Sequence, residues 1–334
     1  MANPLYSVEQ LPTTDQAALR EFNDRYIASI GAGMPEMWVD MGDLEPTAAP
    51  IVTYPVSSLA LKYKQTEGED GFKTLLDKDF DLKTQEFDVG IEAKLADLLT
   101  KVFAYRNWQQ GPARMLIAEA NHRCNAIAAL LEAGESTKWG ASIANPGGID
   151  GKNFFSATHL SDFNDSSSTA WSNYQSVGVD VTDLAALEPE ITEMRGVLDE
   201  NGEKIGADPD TILVPTAKYE KLKNNLAKDL ILNTDGTSFA AESNIFKGRF
   251  NVVHVKQLTD ANDFYLVDSK LRSSMGLPPW ISLRWTVPNP ALSLRTWDES
   301  SDFFKDTGRI KVSSHIWYGH ALGFPHAIRK VVGA

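Results

Sequence analysis

The chain has 334 residues, 43% hydrophobic and 23% charged, with 23 Gly and 16 Pro spread along it; this composition excludes fibrous, collagen-like and disordered classes and leaves material for a sizeable core. No run approaches the roughly 20 apolar residues that span a bilayer, and residues 1–20 lack a basic segment followed by an apolar one, so the chain is expected to be neither membrane-bound nor exported. A net charge of −13 opposes general adhesion to nucleic acid, and the single cysteine, Cys124, excludes disulfide frameworks, zinc ribbons and redox pairs.

Residues 13–30 carry Ala17, Leu19, Phe22, Tyr26, Ile27 and Ile30 at helical spacing, and residues 31–50, rich in Gly, Pro and acids, read as loop. From Ile51 the period is two. Leu59, Leu61 and Tyr63 alternate with Ser58, Ala60, Lys62 and Lys64; Phe87, Val89 and Ile91 alternate again within residues 81–91, beyond a polar, acidic stretch at 65–79. This predicts an extended hairpin that cannot bury both faces within itself and needs a partner surface.

Helical spacing returns at Leu95, Leu98, Leu99 and Val102. The strongest element follows over residues 112–134. Pro112 suits a first turn, Leu116, Ala120, Cys124, Ile127 and Leu131 form one apolar stripe, and Gly134 stands where a left-handed cap is expected. Glu119, His122 and Arg123 are expected on its polar faces.

Residues 135–178, with Asn145-Pro-Gly-Gly and Asp150-Gly, read as loop with short strands at most. A helix follows from Asp183 through Leu184, Leu187, Ile191 and Met194, kinked or restarted at Pro189 and closed by the turn Asp199-Glu-Asn-Gly202. An α/β pattern comes next: a strand at 211–214, a helix capped by Thr216 with Tyr219, Leu222, Leu226 and Leu230 on one face, and strands at 250–256 and 264–268. Residues 280–332 are strand-rich, with a turn at Val287-Pro-Asn-Pro290 and an alternating run at 310–318.

Motifs for chemistry are absent. Gly31-Ala-Gly33 lacks a third glycine and a strand-to-helix setting. Asp77, Asp79 and Asp81 imitate a calcium loop, but Leu82 and Asp88 stand where that loop needs Gly and Glu. His315, His320 and His326 have no metal-ligand spacing, and Cys124 on the apolar stripe reads as a small buried hydrophobe. Glu188, Glu190 and Glu193 read as a charged helix face. No catalytic residue, cofactor or metal is expected. The tryptophans at apparent loops and strand ends, Trp108, Trp139, Trp171, Trp280 and Trp297, divide between core packing and contacts with other chains.

In this order the elements resemble the major capsid proteins of tailed bacteriophages, an α+β class with the HK97-like fold, and among these the Mu-like head subunits. The likeness is carried by Asn125-Ala-Ile-Ala-Ala-Leu-Leu-Glu132 at the end of the long helix, Asn153-Phe-Phe-Ser-Ala-Thr-His159, Asp210-Thr-Ile-Leu-Val-Pro-Thr216, Phe264-Tyr-Leu-Val-Asp268 and residues 309–319. It implies an N-terminal arm (1–50), an E-loop hairpin reaching over a neighbour (51–93), a P domain (94–180) with its spine helix (112–134), an A domain (181–288) and return strands of the P domain (289–334).

The resemblance further implies a structural subunit, not an enzyme, forming hexamers and pentamers in an icosahedral shell around double-stranded DNA that it does not bind sequence-specifically. Implied partners are a separate scaffolding protein, a maturation protease, portal and decoration proteins, with the virion as final location after assembly in the host cytoplasm. No covalent crosslinking is expected. Tyr63, Phe72, Trp108, Trp139, Trp171 and Trp280 are the candidate interface residues. The alternatives are an encapsulin-like compartment shell and, from another class, a hydrolase assembled from Ser156, His159 and Asp162.

Overall fold

The computed structural model describes residues 14–31, 38–47, 51–56, 78–141, 146–162, 165–199, 201–234, 239–285 and 294–334. The amphipathic segment near the N-terminus forms α1 (Asp15–Gly31), followed by β1 (Asp43–Thr47), β2 (Ile51–Val56), β3 (Lys78–Lys83) and β4 (Gln85–Lys94). Two short helices, α2 (Leu95–Thr100) and α3 (Val102–Gln109), lead into the long helix α4 (Gly111–Ala133), whose stripe from Met115 to Leu131 is buried. Gly134 closes α4 with φ −62°, not in the left-handed region. Its lack of a side chain serves packing instead, since a Cβ there would lie 2.6 Å from the Phe155 ring.

Among its described residues the loop region holds β5 (His159–Leu160), β6 (Ala170–Trp171) and β7 (Tyr174–Val179). Then come α5 (Leu184–Arg195), capped by the Asp183 carboxylate on Ala185 N at 3.1 Å, β8 (Thr211–Val214), α6 (Thr216–Ala227), β9 (Leu230–Thr234), β10 (Phe239–Ser243), β11 (Asn251–His254) and β12 (Phe264–Val267). The chain ends with α7 (Lys270–Met275), β13 (Trp280–Trp285), β14 (Leu294–Trp297), α8 (Asp302–Thr307), β15 (Arg309–Leu322) and β16 (Ile328–Gly333). Two details differ from the sequence reading. The Thr216 hydroxyl meets His254 Nε2 at 2.8 Å and does not cap α6, and Leu230 is an exposed strand residue because α6 stops at Ala227.

Two five-stranded sheets organise the chain. In the first, β15 takes β13 and β14 in succession along one edge and β4 along the other, with β1 parallel to β13. In the second, the order is β11-β8-β12-β16-β7. The apolar runs of β8 and β12 are buried at every residue, as expected of strands covered on both faces. One large core joins this sheet to α4 and α5; a smaller one gathers Phe22 and Tyr26 of α1 with Trp108, Met115, Ile310 and Val312.

The strand pairing departs from the expected division of the chain. Phe87, Val89 and Ile91 lie on β4, which pairs with β15, so the hairpin proper is β2 with β3, Ile51 opposite Lys83 and Val56 opposite Lys78. Phe80 and Leu82 bury one of its faces in the chain's own large core, where Tyr54 stacks on Phe80 at 5.6 Å; Ile51 on the other face is 50% exposed. β13, expected with the A-domain segment, sits in the sheet of β15, whereas β7 and β16 sit in the sheet of β8 and β12. The loop reading of residues 31–50 misses β1, a strand whose pairing with β13 has no local alternation to announce it.

Candidate assembly surfaces and the charged joint beneath them

Neighbouring residues of a strand point to opposite faces, and on β16 both Arg329 and Lys330 are buried. Arg329 Nε and Nη2 donate to Glu190 Oε2 of α5 at 2.9 and 2.8 Å, with side chains only 3% and 4% exposed. Glu190 Oε1 also accepts from Gln175 Nε2 at 3.2 Å. Glu190 therefore belongs to a buried ion pair and not to a solvated helix face. Lys330 points the other way. Its ammonium meets Asp263 Oδ2 at 2.9 Å and the carboxylate of Glu135, just past α4, which also accepts from Tyr174 OH at 3.0 Å. Burial favours the neutral amine, but the bonds to Asp263 and Glu135 outweigh it and hold the Lys330 pKa above its usual value.

A second polar layer lies between α4 and β15. Glu119 and Arg123, expected on polar faces, are buried: Glu119 accepts from Tyr318 OH and pairs with Arg284 at 3.2 Å, and Arg123 pairs with Asp40 at 2.9 Å. His122 and His320 sit 6.1 Å apart between ring centroids, each with a buried Nε2 that has no partner among the described residues, while His320 Nδ1 meets Ser282 Oγ at 2.9 Å. Burial, reinforced by His122 and Arg123, lowers the His320 pKa to about 4. Among the described residues no three His, Cys, Asp or Glu side chains are grouped to hold a metal ion.

The Asn153 to His159 stretch builds a buried knot. His159 Nδ1 meets Asp150 Oδ2 at 2.6 Å and Nε2 faces Phe154 O at 3.0 Å, with the His159 and Asp150 side chains fully buried. Trp171 stacks on His159 at 4.8 Å, and His326, its pKa pushed down to about 3 by burial, packs on Trp171 at 4.6 Å. Both nitrogens of His159 are thus engaged away from Ser156, whose backbone N–H donates to Asn173 Oδ1 at 2.9 Å and whose hydroxyl accepts from Thr158 N at 3.2 Å. A hydrolytic triad of Ser156, His159 and Asp162 is not assembled.

The candidate interface tryptophans are core pins. Trp108, Trp139, Trp171 and Trp280 are 2%, 3%, 5% and 0% exposed, so they offer no surface to a neighbour. Three of their indoles donate to distant carbonyls: Trp108 to Ala18 at 3.1 Å, Trp139 to Gly323 at 2.8 Å and Trp280 to Val39 at 2.8 Å. Trp297 is half-buried beneath Lys311. Tyr63 and Phe72 lie outside the described residues. Among the described residues, the large apolar side chains that face solvent include Phe103 at 77%, with Ile51, Ile117, Val177, Leu230 and Ile245. Ile117 was readable as off the α4 stripe; Phe103 carries no such sign.

Two grooves open beside these elements. One of about 340 Å³ lies between β4, α3 and the start of α4, and one of about 460 Å³ lies between the start of β4, the later half of α4 and β15. No helix among the described residues is long and apolar enough to cross a membrane.

The sequence pattern of the phage capsid protein family matches residues 105–331, from α3 to β16. No curated protein matches the chain. Among solved structures, the capsid of cyanophage P-SCSP1u superposes with TM-score 0.54 at 12% identity, covering 90% of this chain and 89% of that one, a likeness of fold. The procapsid of bacteriophage JBD30 gives TM-score 0.48 at 14% identity over 96% of this chain and 75% of that one. A virus-like particle from Pyrococcus furiosus gives 0.47 at 8% identity, over 93% and 98%.

Proposed function

Because the chain belongs to the phage capsid protein family, and is thus a structural shell protein of the virion assembled from repeated subunits, we propose that its copies close as hexamers and pentamers into an icosahedral head around double-stranded DNA. The observation that carries this reading is the family match, which runs across α4 and most of both sheets and names phage capsids, not cargo compartments. The hairpin β2 and β3 supports it. With one face already buried on the chain's own core and the other exposed at Ile51, the element has surface left for a second copy.

In this reading residues 1–50 are the arm, the hairpin is the element that reaches a neighbour, and the sheet of β15 with α4 is the P domain. The sheet β11-β8-β12-β16-β7 belongs to the A domain at the capsomer axis. Assembly takes place in the host cytoplasm, with a scaffolding protein and maturation protease acting before portal-driven filling. The net charge of −13 suits a wall along which DNA slides without multiple phosphate contacts. Negative-stain microscopy with sedimentation of the purified chain tests the proposal: shells, tubes or capsomer-sized rings are expected. A monomer that persists at high concentration and with its scaffolding partner overturns it.

A further inference from the structure

The groove of about 460 Å³ between β4, α4 and β15 has two imidazoles in its wall, His122 of α4 and His320 of β15. Each keeps a buried Nε2 with no partner among the described residues. A buried polar atom left unbonded costs free energy, so it asks for an explanation, and here two such atoms come from rings whose centroids are 6.1 Å apart. Other histidines are engaged: His254 meets Thr216, His315 meets Glu86, and His159 uses both nitrogens.

Both rings are held in place by the fold. His122 packs on Phe87 of β4 at 4.1 Å between centroids; His320 stacks on Tyr318 at 5.5 Å and 16°, and its Nδ1 meets Ser282 Oγ at 2.9 Å. When Nδ1 donates its proton to that hydroxyl, Nε2 of His320 carries a lone pair, which is how an outer partner orients a metal-ligating histidine. Burial also favours the neutral form of both rings, the form that ligates. One ion about 2.1 Å from each Nε2 puts the ring centroids roughly 5 to 6.5 Å apart, from a tetrahedral to a nearly linear angle. The observed separation of 6.1 Å lies within that span. The charges of this layer are paired already, Arg123 with Asp40 and Arg284 with Glu119, and Lys83 also lines the groove.

We propose that His122 and His320 bind one divalent transition ion of the class that suits imidazole nitrogen, such as zinc, nickel or copper, through their Nε2 atoms. Two protein ligands are fewer than a closed structural site uses, so water from the groove completes the coordination, and the groove is also the path of entry. The ion ties α4 to β15, the strand on which β4, β13 and β14 all pair. Because it binds the folded arrangement of two distant elements, it stabilises that arrangement. The site belongs to the single chain and does not depend on the shell reading.

The test is calorimetric titration of the purified full chain with zinc chloride near neutral pH, paired with thermal melts. Saturable binding of one equivalent per chain and an unfolding midpoint raised by several degrees are expected, whereas magnesium, which prefers oxygen ligands, leaves the midpoint unchanged. His122→Phe, which keeps an aromatic ring against Phe87, and His320→Ala are each expected to weaken zinc binding by about tenfold or more; His254→Ala and His315→Ala are expected to leave it intact. Should a variant fail to fold, X-ray absorption of the zinc-loaded wild-type chain decides, with two imidazole nitrogens and further oxygens expected around the ion. No saturable binding by wild type, undiminished binding in either folded variant, or fewer than two imidazoles around the zinc overturns the proposal.

Discussion

The sheet β11-β8-β12-β16-β7 and the hairpin β2 and β3 use strands of similar length, four to six residues, and both contain apolar alternatives to water, yet they end differently. The sheet packs against α5 and α6 and shares the large core with α4, and even its two cations, Arg329 and Lys330, are neutralised within the chain. The hairpin has Phe80 and Leu82 beneath it and solvent above. The difference shows which parts of the chain are complete as a monomer and which wait for a neighbour.

The contrast breaks most sharply at Arg329. Arg329→Met leaves Glu190 buried and unpaired and is expected to cost about 3–5 kcal/mol in a urea melt of the unassembled chain; adding Glu190→Leu is expected to recover most of it. A loss below about 1 kcal/mol would mean that the sheet does not depend on this pair. Phe80→Ala is next, with about 3 kcal/mol expected from the buried face of the hairpin in the same melt. Gly319→Ala comes after it. A Cβ on Gly319 would lie 2.7 Å from the Lys83 carbonyl, where β3 crosses β15, so a backbone shift costing about 1–3 kcal/mol is expected, read as a lowered unfolding midpoint.

Acid probes the histidines. His320 and His326 have folded pKa values lowered to about 4 and about 3, below the roughly 6.5 of an unfolded chain. The unfolded state therefore binds protons first. Stability is complete above pH 6.5 and falls as pH drops toward 4, by up to about 1.4 kcal/mol per pH unit for each histidine. A His320→Gln chain is expected to lose less between pH 6.5 and 4 than wild type, and an equal loss in both would remove His320 as a contributor. The smallest effect is on the open face of the hairpin. Ile51→Ala is expected to change the melt of the unassembled chain by under about 0.5 kcal/mol while lowering shell yield in sedimentation. An equal cost to that of Phe80→Ala would erase the contrast.

What was legible in the sequence follows the same division. α4, β8 and β12 were readable because their periodicity is local: a stripe every three or four residues, or a short unbroken apolar run. The partner of β4 was not, because alternation at Phe87, Val89 and Ile91 declares a strand and says nothing of which distant strand it meets, Val89 lying opposite Ser314. The buried charges were hidden for a similar reason. Glu119, Glu190 and Arg329 look solvated in sequence, and only partners 139 to 199 residues away make burial tolerable. The tryptophans could not be sorted from sequence: loop position fits core packing and outward contact alike, and only the fold buries Trp108, Trp139, Trp171 and Trp280 while leaving Trp297 half-buried.

The back-to-back cations of β16 also define a load path. Arg329 holds α5 from one face and Lys330 holds Glu135, just past α4, from the other, so a single pair of adjacent residues ties one strand to the chain on both of its sides.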